Sequence, residues 1–317
     1  MSLAENLKAV ASRLVDGLEV VRAALWPKPL AWATGYALLL PALLVVGLLA
    51  LGLVYIVDAS FRELDTRTFL LAETYSLGNF QEIWERTVFW RITGRTLLAA
   101  VIVTAITLAL AFPYAYLMVR TRSSLLRKLL LISLFLPFFI GQVVRAYGWL
   151  IILGQQGIAN TLLQQIGLGP FRLIFTYETV IFGLVQYMLP FAVLMLAPAL
   201  AAISEEVELA AESLGARWWE AMLNVVVPMA KPGFVAAGVV VFTISLTDFA
   251  MPAVLGGGTN DFLANSIYHA FFRISDPGLA SALAVILVAI GSTIVAILFA
   301  WLGTGTLGFR KSSGASA

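Results

Sequence analysis

EEVELAAESLGARWWEAMLNVVVPMAKP, residues 205–232, interrupts an otherwise apolar chain with five carboxylates in sixteen residues: Glu205, Glu206, Glu208, Glu212 and Glu220. A segment this polar leaves a bilayer. Its order of small residues, a glycine and then a run ending in proline suits a docking element for another protein rather than a plain connector. The pattern predicts a short helix over 203–214, in which Ala210 and Ala211 permit close approach by another surface and four carboxylates surround them. Gly215, between Leu214 and Ala216, stops that helix, because glycine adopts positive φ without steric cost. A second helix follows with Trp218, Trp219 and Met222 available to pack, and Pro228 ends it before Pro232 opens the next apolar run. The result is a compact knob of two short helices hinged at Gly215.

On either side of the knob the composition is that of an integral membrane protein. Of 317 residues, 61% are apolar and 12% charged, about half the charged fraction of an ordinary soluble domain. Charge-free runs cover 29–57, 96–119, 129–144, 179–204, 232–247 and 277–309. A hydrocarbon core of roughly 30 Å needs about 20 helical residues. The third and fifth runs are short, but apolar sequence continues past Arg145 and Asp248, so each is read as spanning with one polar residue near its end. The expectation is all-α: six transmembrane helices with the knob as a loop, in a span domain over 29–309 that includes 203–231.

Lys and Arg set the orientation. RTRSSLLRK, residues 120–128, holds four cations, which marks that loop as cytosolic under the positive-inside rule. Alternation then puts both termini and the 205–231 segment in the cytosol, and Arg310 and Lys311 in the 310–317 tail agree. The first apolar run exceeds the length of a signal-peptide core and is read as an uncleaved span. Ahead of it, in the 1–28 segment, Leu3, Leu7, Val10, Leu14, Leu18, Val21 and Leu25 form a helical stripe. Such a helix lies on the membrane surface or packs on another subunit. Residues 58–95 are polar and mixed in charge, with Trp84, Phe89 and Trp90 suited to the far membrane interface. Over 145–178, Gly154, Gly157, Gly167 and Gly169 predict short helices and turns at the outer mouth.

The chemistry that is missing narrows the function. No G-x4-G-K-[ST] motif is present, so the chain holds no P-loop for ATP. Cysteine is absent and His269 is the single histidine; neither a metal site nor a catalytic constellation is expected, and a structural role for His269 outweighs a catalytic one.

The knob resembles the E-A-A-x3-G-x9-I-x-L-P loop of permease subunits in binding-protein-dependent ABC importers. Ala210, Ala211, Gly215, Val225, Val227 and Pro228 hold the matching positions, while Leu209 stands where the family has its first glutamate and Glu208 lies one place earlier. VVRAYGWLIILGQQGIANTLLQQIGLG (143–169) and SLTDFAMPAVLGGG (245–258) resemble permeases of the spermidine/putrescine-type branch, particularly the first of its two permease subunits. The similarity runs from about Thr96 to Phe309. It implies a type I importer permease fold in a bacterial inner membrane, working by alternating access. The partners it implies are a second homologous permease in a heterodimer, two cytosolic ATPases that carry ATP and Mg, and an external solute-binding protein, with no role for nucleic acid. Glu205, Glu206, Glu208, Ala210, Ala211, Glu212, Leu214, Gly215, Ala216 and Pro228 become the residues expected to meet the ATPase.

Ionisable residues at membrane depth are functional hypotheses by default. Asp248 beside Phe249 suits a cation, through Coulomb attraction and cation–π contact; it could equally pair with Arg145 or cap a broken helix. Arg145, Tyr147, Trp149, Gln186 and Tyr187 are the other pathway candidates, although aromatics at such places also serve as anchors or packing, and Arg145 points toward an anionic solute. The leading expectation is import of a small polar solute, polyamine first. Opine-like or amino acid derivatives and ferric iron are alternatives within the same class. An ion-driven secondary transporter is the competing class; it would need internal repeats, and none is evident between 30–150 and 180–303.

Overall fold

The structure, a computed structural model, describes residues 33–302; the 1–28 stripe and the 310–317 tail expected from the sequence lie outside the described residues. The chain divides into two units, 1–56 and 57–317. The first, as far as it is described, is the apolar helix α1 (Ala33–Ser60), whose last residues belong to the second unit.

The second unit begins with a hairpin that the all-α expectation did not contain. Strands β1 (Arg62–Asp65) and β2 (Leu70–Tyr75) pair antiparallel. Buried Asn79 ties the hairpin to the next helix by donating to the carbonyls of Ser60 (3.1 Å) and Arg62 (2.9 Å). Helix α2 (Gly78–Glu85) leads into α3 (Thr87–Arg120). At their junction Trp84 and Trp90 meet edge-on at 4.8 Å.

Helices α3, α7 (Tyr177–Ala201) and α10 (Lys231–Leu246) pack together as the centre of this unit. The buried stripe of α3 is made of small residues, Ala99, Val103, Thr107, Ala111 and Ala115, so the partner backbones come close. In a membrane, where lipid tails are as apolar as leucine, close van der Waals packing of this kind is a main source of helix association. Gly233 on α10 is the tightest case: a methyl group there would fall inside the reach of the Ala199 Cβ on α7. A last long helix, α13 (Pro277–Leu302), packs through Leu279, Ala280, Ala282, Leu283 and Leu287 into a second cluster with Ile83, Phe242 and Leu246.

Among the described residues, four helices are long and apolar enough to cross a membrane, and the number rises to six if two bent pairs each count as one span. Breaks in the helices at 140–141 and 247–249 correct the sequence reading of the third and fifth runs. In the third, α4 (Ser124–Phe135) passes through a 3-10 turn (Leu136–Phe139), and the chain turns by 100° before α5 (Gln142–Leu153) and α6 (Ile158–Gln165). Pro137 supplies no backbone N–H to continue the ladder, and Ile140 and Gly141 are extended. Arg145 therefore lies beyond the break rather than near the end of a straight span. In the fifth, α10 is 16 residues long, about 24 Å at 1.5 Å per residue, and does not continue through Asp248. The chain leaves the helix at Thr247 and restarts as α11 (Ala250–Leu255). A further short helix, α12 (Leu263–Tyr268), runs into a π turn at His269–Arg273 before α13.

Candidate functional site

The knob forms as its local sequence predicts. Helix α8 (Glu205–Ser213) starts at Ser204, whose hydroxyl accepts the Glu206 amide at 3.2 Å. Glu205, Glu206 and Glu208 occupy its first turn, where carboxylates oppose the positive end of the helix dipole. At the other end Gly215 has φ +93°. The Gly215 amide bonds the Glu212 carbonyl (2.9 Å) and the Ala216 amide bonds the Ala211 carbonyl (3.1 Å), the paired arrangement in which a left-handed residue closes a helix.

The second helix of the knob, α9 (Trp218–Met229), is longer than expected. Pro228 does not end it. The ladder widens into a π turn over Met222–Val226 just before the proline, and the helix continues to Met229. A π turn is one of the ways a helix absorbs such a local disruption. The chain then bends by 70° into α10.

The sequence-expected coupling residues separate into two sets. Glu205, Glu206, Ala210, Glu212 and Pro228 are exposed, with Ala211 and Ala216 half-buried. Three large apolar side chains stand out with them: Leu214 is 90% exposed, Trp218 67% and Leu209 60%. Leu209, which stands where the motif has its first glutamate, is thus exposed as well.

Glu208 is set apart from the exposed carboxylates. One residue is 100° of helix, and its carboxylate turns inward instead of joining the outer face. It accepts from Arg120 Nε (2.9 Å) and Nη2 (2.5 Å), and from the Tyr116 hydroxyl (2.6 Å). Arg120 and Tyr116 were not singled out in the sequence, although Arg120 opens the cation-rich 120–128 loop.

The pathway candidates also divide. Arg145 on α5 donates to the carbonyls of Pro137 and, at 3.1 Å, Ile140, and its guanidinium lies 5.3 Å from the Tyr187 ring. Arg145 and Tyr187, with Pro137, Phe138, Gln142, Pro190 and Phe191 among the rest of the lining, enclose a cavity of about 140 Å³ at the break of the third span. Deeper along α5, Trp149 meets Phe182 edge-on at 4.7 Å and directs its indole N–H to Gln186 at 3.4 Å. Tyr147 is exposed on another side.

Asp248 takes the capping role rather than the pairing one. It is 6% exposed, accepts the Met251 amide at 2.9 Å and is bonded by the Gln142 side chain. Phe249 packs on Tyr268 at 4.9 Å, and its carbonyl accepts from Asn265. The two broken spans therefore meet at a polar contact, Gln142 to Asp248. Gln142 was overlooked, yet it is the one amide side chain in the charge-free run 129–144, and a lone amide in such a run signals a buried partner. Among the described residues no group of three metal-ligating side chains is assembled.

Broken spans around a small cavity and a helical knob with exposed large apolar side chains are features of a transport subunit. Comparison with known proteins agrees. PotB, the spermidine/putrescine transport system permease protein of Escherichia coli (strain K12), is 29% identical over 223 residues, 70% of this chain and 80% of its own. The inner membrane ABC transporter permease protein YdcU of the same organism is 29% identical over 261 residues, covering 78% of this chain and 83% of its own. A crystal structure of a bacterial alginate ABC transporter, in complex with its alginate pentasaccharide-bound periplasmic protein, contains a chain of the same fold. The TM-score is 0.73 at 17% identity, over 88% of this chain and 97% of that one. The family described as binding-protein-dependent transport system inner membrane component matches residues 37–307. With that match covering most of its length, the chain belongs to the inner membrane components of binding-protein-dependent transport systems.

Proposed function

We propose that this chain forms half of the translocation pathway of an ABC importer and that its knob docks on a cytosolic ATPase subunit. Its partners are a second, homologous permease, two ATPases that bring ATP and Mg, and an external solute-binding protein. Both termini lie in the cytosol. The observation that carries this reading is the knob itself: Leu209, Leu214 and Trp218 stand exposed on a segment that also carries the exposed carboxylates of Glu205, Glu206 and Glu212. Large apolar side chains of this kind, rimmed by polar residues, mark a protein contact. ATP binding closes the ATPase pair, the knob moves with it, and the spans reorient from inward-open to outward-open.

For the solute we favour a polyamine, because several relatives are spermidine/putrescine transport system permeases. A second reading, a solute with a carboxylate such as an opine-like amino acid derivative, is favoured by the Arg145 guanidinium at the cavity wall. Melting of the cognate binding protein separates the two, since a ligand that binds the native state raises its melting temperature. A shift with spermidine or putrescine supports the first; a shift with carboxylate-bearing amines alone overturns it in favour of the second.

Coupling is tested at Gly215. Its φ of +93° is open to glycine and strained for other residues, while a Cβ there meets nothing within 4 Å. Gly215→Asp adds that strain, about 1–2 kcal/mol, and places a negative charge at the unfavourable end of a helix dipole. Uptake is expected to disappear while the subunit stays in the membrane. Normal uptake by this variant would remove the coupling role.

A further inference from the structure

We infer that Arg120, Glu208 and Tyr116 form the joint through which movement of the knob reaches the membrane spans, and that the three act as positioning residues for coupling. This rests on the reading of the knob as the ATPase-docking element and adds to it the route by which force leaves the knob.

Within the knob, α8 packs on α9; its hold on the spans is of another kind. No residue of α8 is buried, so the helix has little apolar packing with which to transmit a push or a pull. Its attachment is polar and specific. Arg120 is the last residue of α3 and grips the Glu208 carboxylate from two nitrogens, Nε at 2.9 Å and Nη2 at 2.5 Å. The same Nη2 donates to the Ile203 carbonyl at 2.8 Å, two residues past the end of α7. Tyr116, one helical turn back on α3, occupies the second carboxylate oxygen at 2.6 Å. One guanidinium therefore joins the ends of two long helices to the first turn of α8.

The joint is also sheltered. The Arg120 and Glu208 side chains are 14% and 16% exposed, so water screens them far less than it would a surface pair. Charge-assisted bonds of fixed geometry are stiff, whereas loose apolar contacts would let α8 slide. With Leu209 and Leu214 facing outward and Glu208 inward, the helix has one side for the ATPase and one for the spans. This gives a role to a carboxylate that stands one place before the motif's usual position.

The test uses the complete transporter in proteoliposomes: both permeases, the ATPases and the binding protein. In Glu208→Gln and Arg120→Met the ATPase is expected to co-purify at the parent level. Uptake, and the ratio of hydrolysis with loaded binding protein to hydrolysis without it, should fall roughly tenfold or more, as expected when one partner of a sheltered pair is removed. Arg120→Lys should recover part of the loss, Tyr116→Phe should cost only about twofold to threefold, and the double variant should be no worse than either single one, because residues in one network are not additive. Unchanged uptake and stimulation in the single variants would overturn the joint. So would loss of the ATPase from those variants, since the pair would then build the docking face instead of transmitting its movement. If the parent permeases themselves retain no ATPase, the reading of the knob fails rather than that of the joint.

Discussion

Replacing Asp248 distinguishes a solute contact from a structural cap, and the two substitutions Asp248→Asn and Asp248→Ala give opposite patterns for the two roles. In the structure one carboxylate oxygen accepts the buried Met251 amide at 2.9 Å and the other is bonded by Gln142. Asparagine keeps an oxygen for Met251, and Gln142 can turn its amide to accept from the new NH₂ group. What is lost is the charge-assisted part of two bonds, about 1 kcal/mol each at most, offset by no longer burying a charge. Alanine instead leaves the Met251 N–H without a partner. An orphaned buried donor costs about 1–3 kcal/mol, and loss of the Gln142 bond adds roughly 1 kcal/mol more, because Gln142 is half-buried and only partly rehydrated. The expected total for alanine is about 2–4 kcal/mol, a fall in melting temperature on the order of 5–10 °C for a domain of this size. Melting in detergent and uptake in proteoliposomes are then measured together. As a cap, Asp248 predicts asparagine close to the parent in both and alanine low in both. An asparagine variant as stable as the parent, but with uptake reduced to the alanine level through a raised KM, would refute the cap and restore Asp248 to the solute pathway.

Two other outcomes follow from exposure and packing. Leu214 is 90% exposed, so Leu214→Glu should change the melting temperature of the isolated subunit little, while weakening ATPase capture roughly tenfold to a hundredfold, the value of burying one leucine side chain, roughly 1.5–3 kcal/mol, at an interface; equal capture by parent and variant in a pull-down at limiting ATPase would exclude this side chain from docking. Gly233→Ala places a methyl against the Ala199 Cβ, a contact with no flexible end to swing away, and overpacking of this kind costs about 1–3 kcal/mol; a melting temperature equal to the parent's would mean that α7 and α10 are not packed as closely as the structure has them.

How much of this was legible in the sequence depends on how far apart the interacting residues lie. The knob was readable because its determinants are local: Ser204 caps an amide two residues on, and Gly215 closes a helix whose last carbonyls are three and four residues back. The direction of Glu208 was not, because its partners lie 88 and 92 residues away on another helix. Composition located all six apolar runs but said nothing of their straightness. Pro137 and Gly141 break the third, while Pro113, Pro190 and Pro198 sit inside continuous helices. At the break Arg145, from the far side, donates to the carbonyls of Pro137 and Ile140, and such a partner is not revealed by spacing. Asp248 showed the same limit. A carboxylate after a 16-residue apolar run reads as a charge within a span, whereas it lies just past the end of the helix, and the Met251 amide and the Gln142 side chain it serves are supplied by the fold.

The long helix α3 connects these parts. Its 34 residues extend about 51 Å at 1.5 Å per residue, well beyond the roughly 30 Å a hydrocarbon core requires. The surplus is used at both ends. At one, Tyr116 and Arg120 hold Glu208 of the knob. At the other, Arg95 donates to the Thr259 carbonyl at 2.8 Å, its own carbonyl accepts the Tyr177 hydroxyl at 3.0 Å, and Thr96 accepts the Leu263 amide at 3.0 Å. The same helix is therefore tied by directional bonds to the knob and, 25 residues earlier, to the 259–263 segment that follows the broken fifth span. Between the two ties it packs closely on α7 and α10, Phe112 meets Phe234 of α10 at 5.4 Å, and the Tyr114 hydroxyl donates to the Leu130 carbonyl of α4 at 2.6 Å. Close-packed interiors transmit strain rather than absorb it, so a shift imposed on Arg120 is felt by this whole packed group and not by α3 alone.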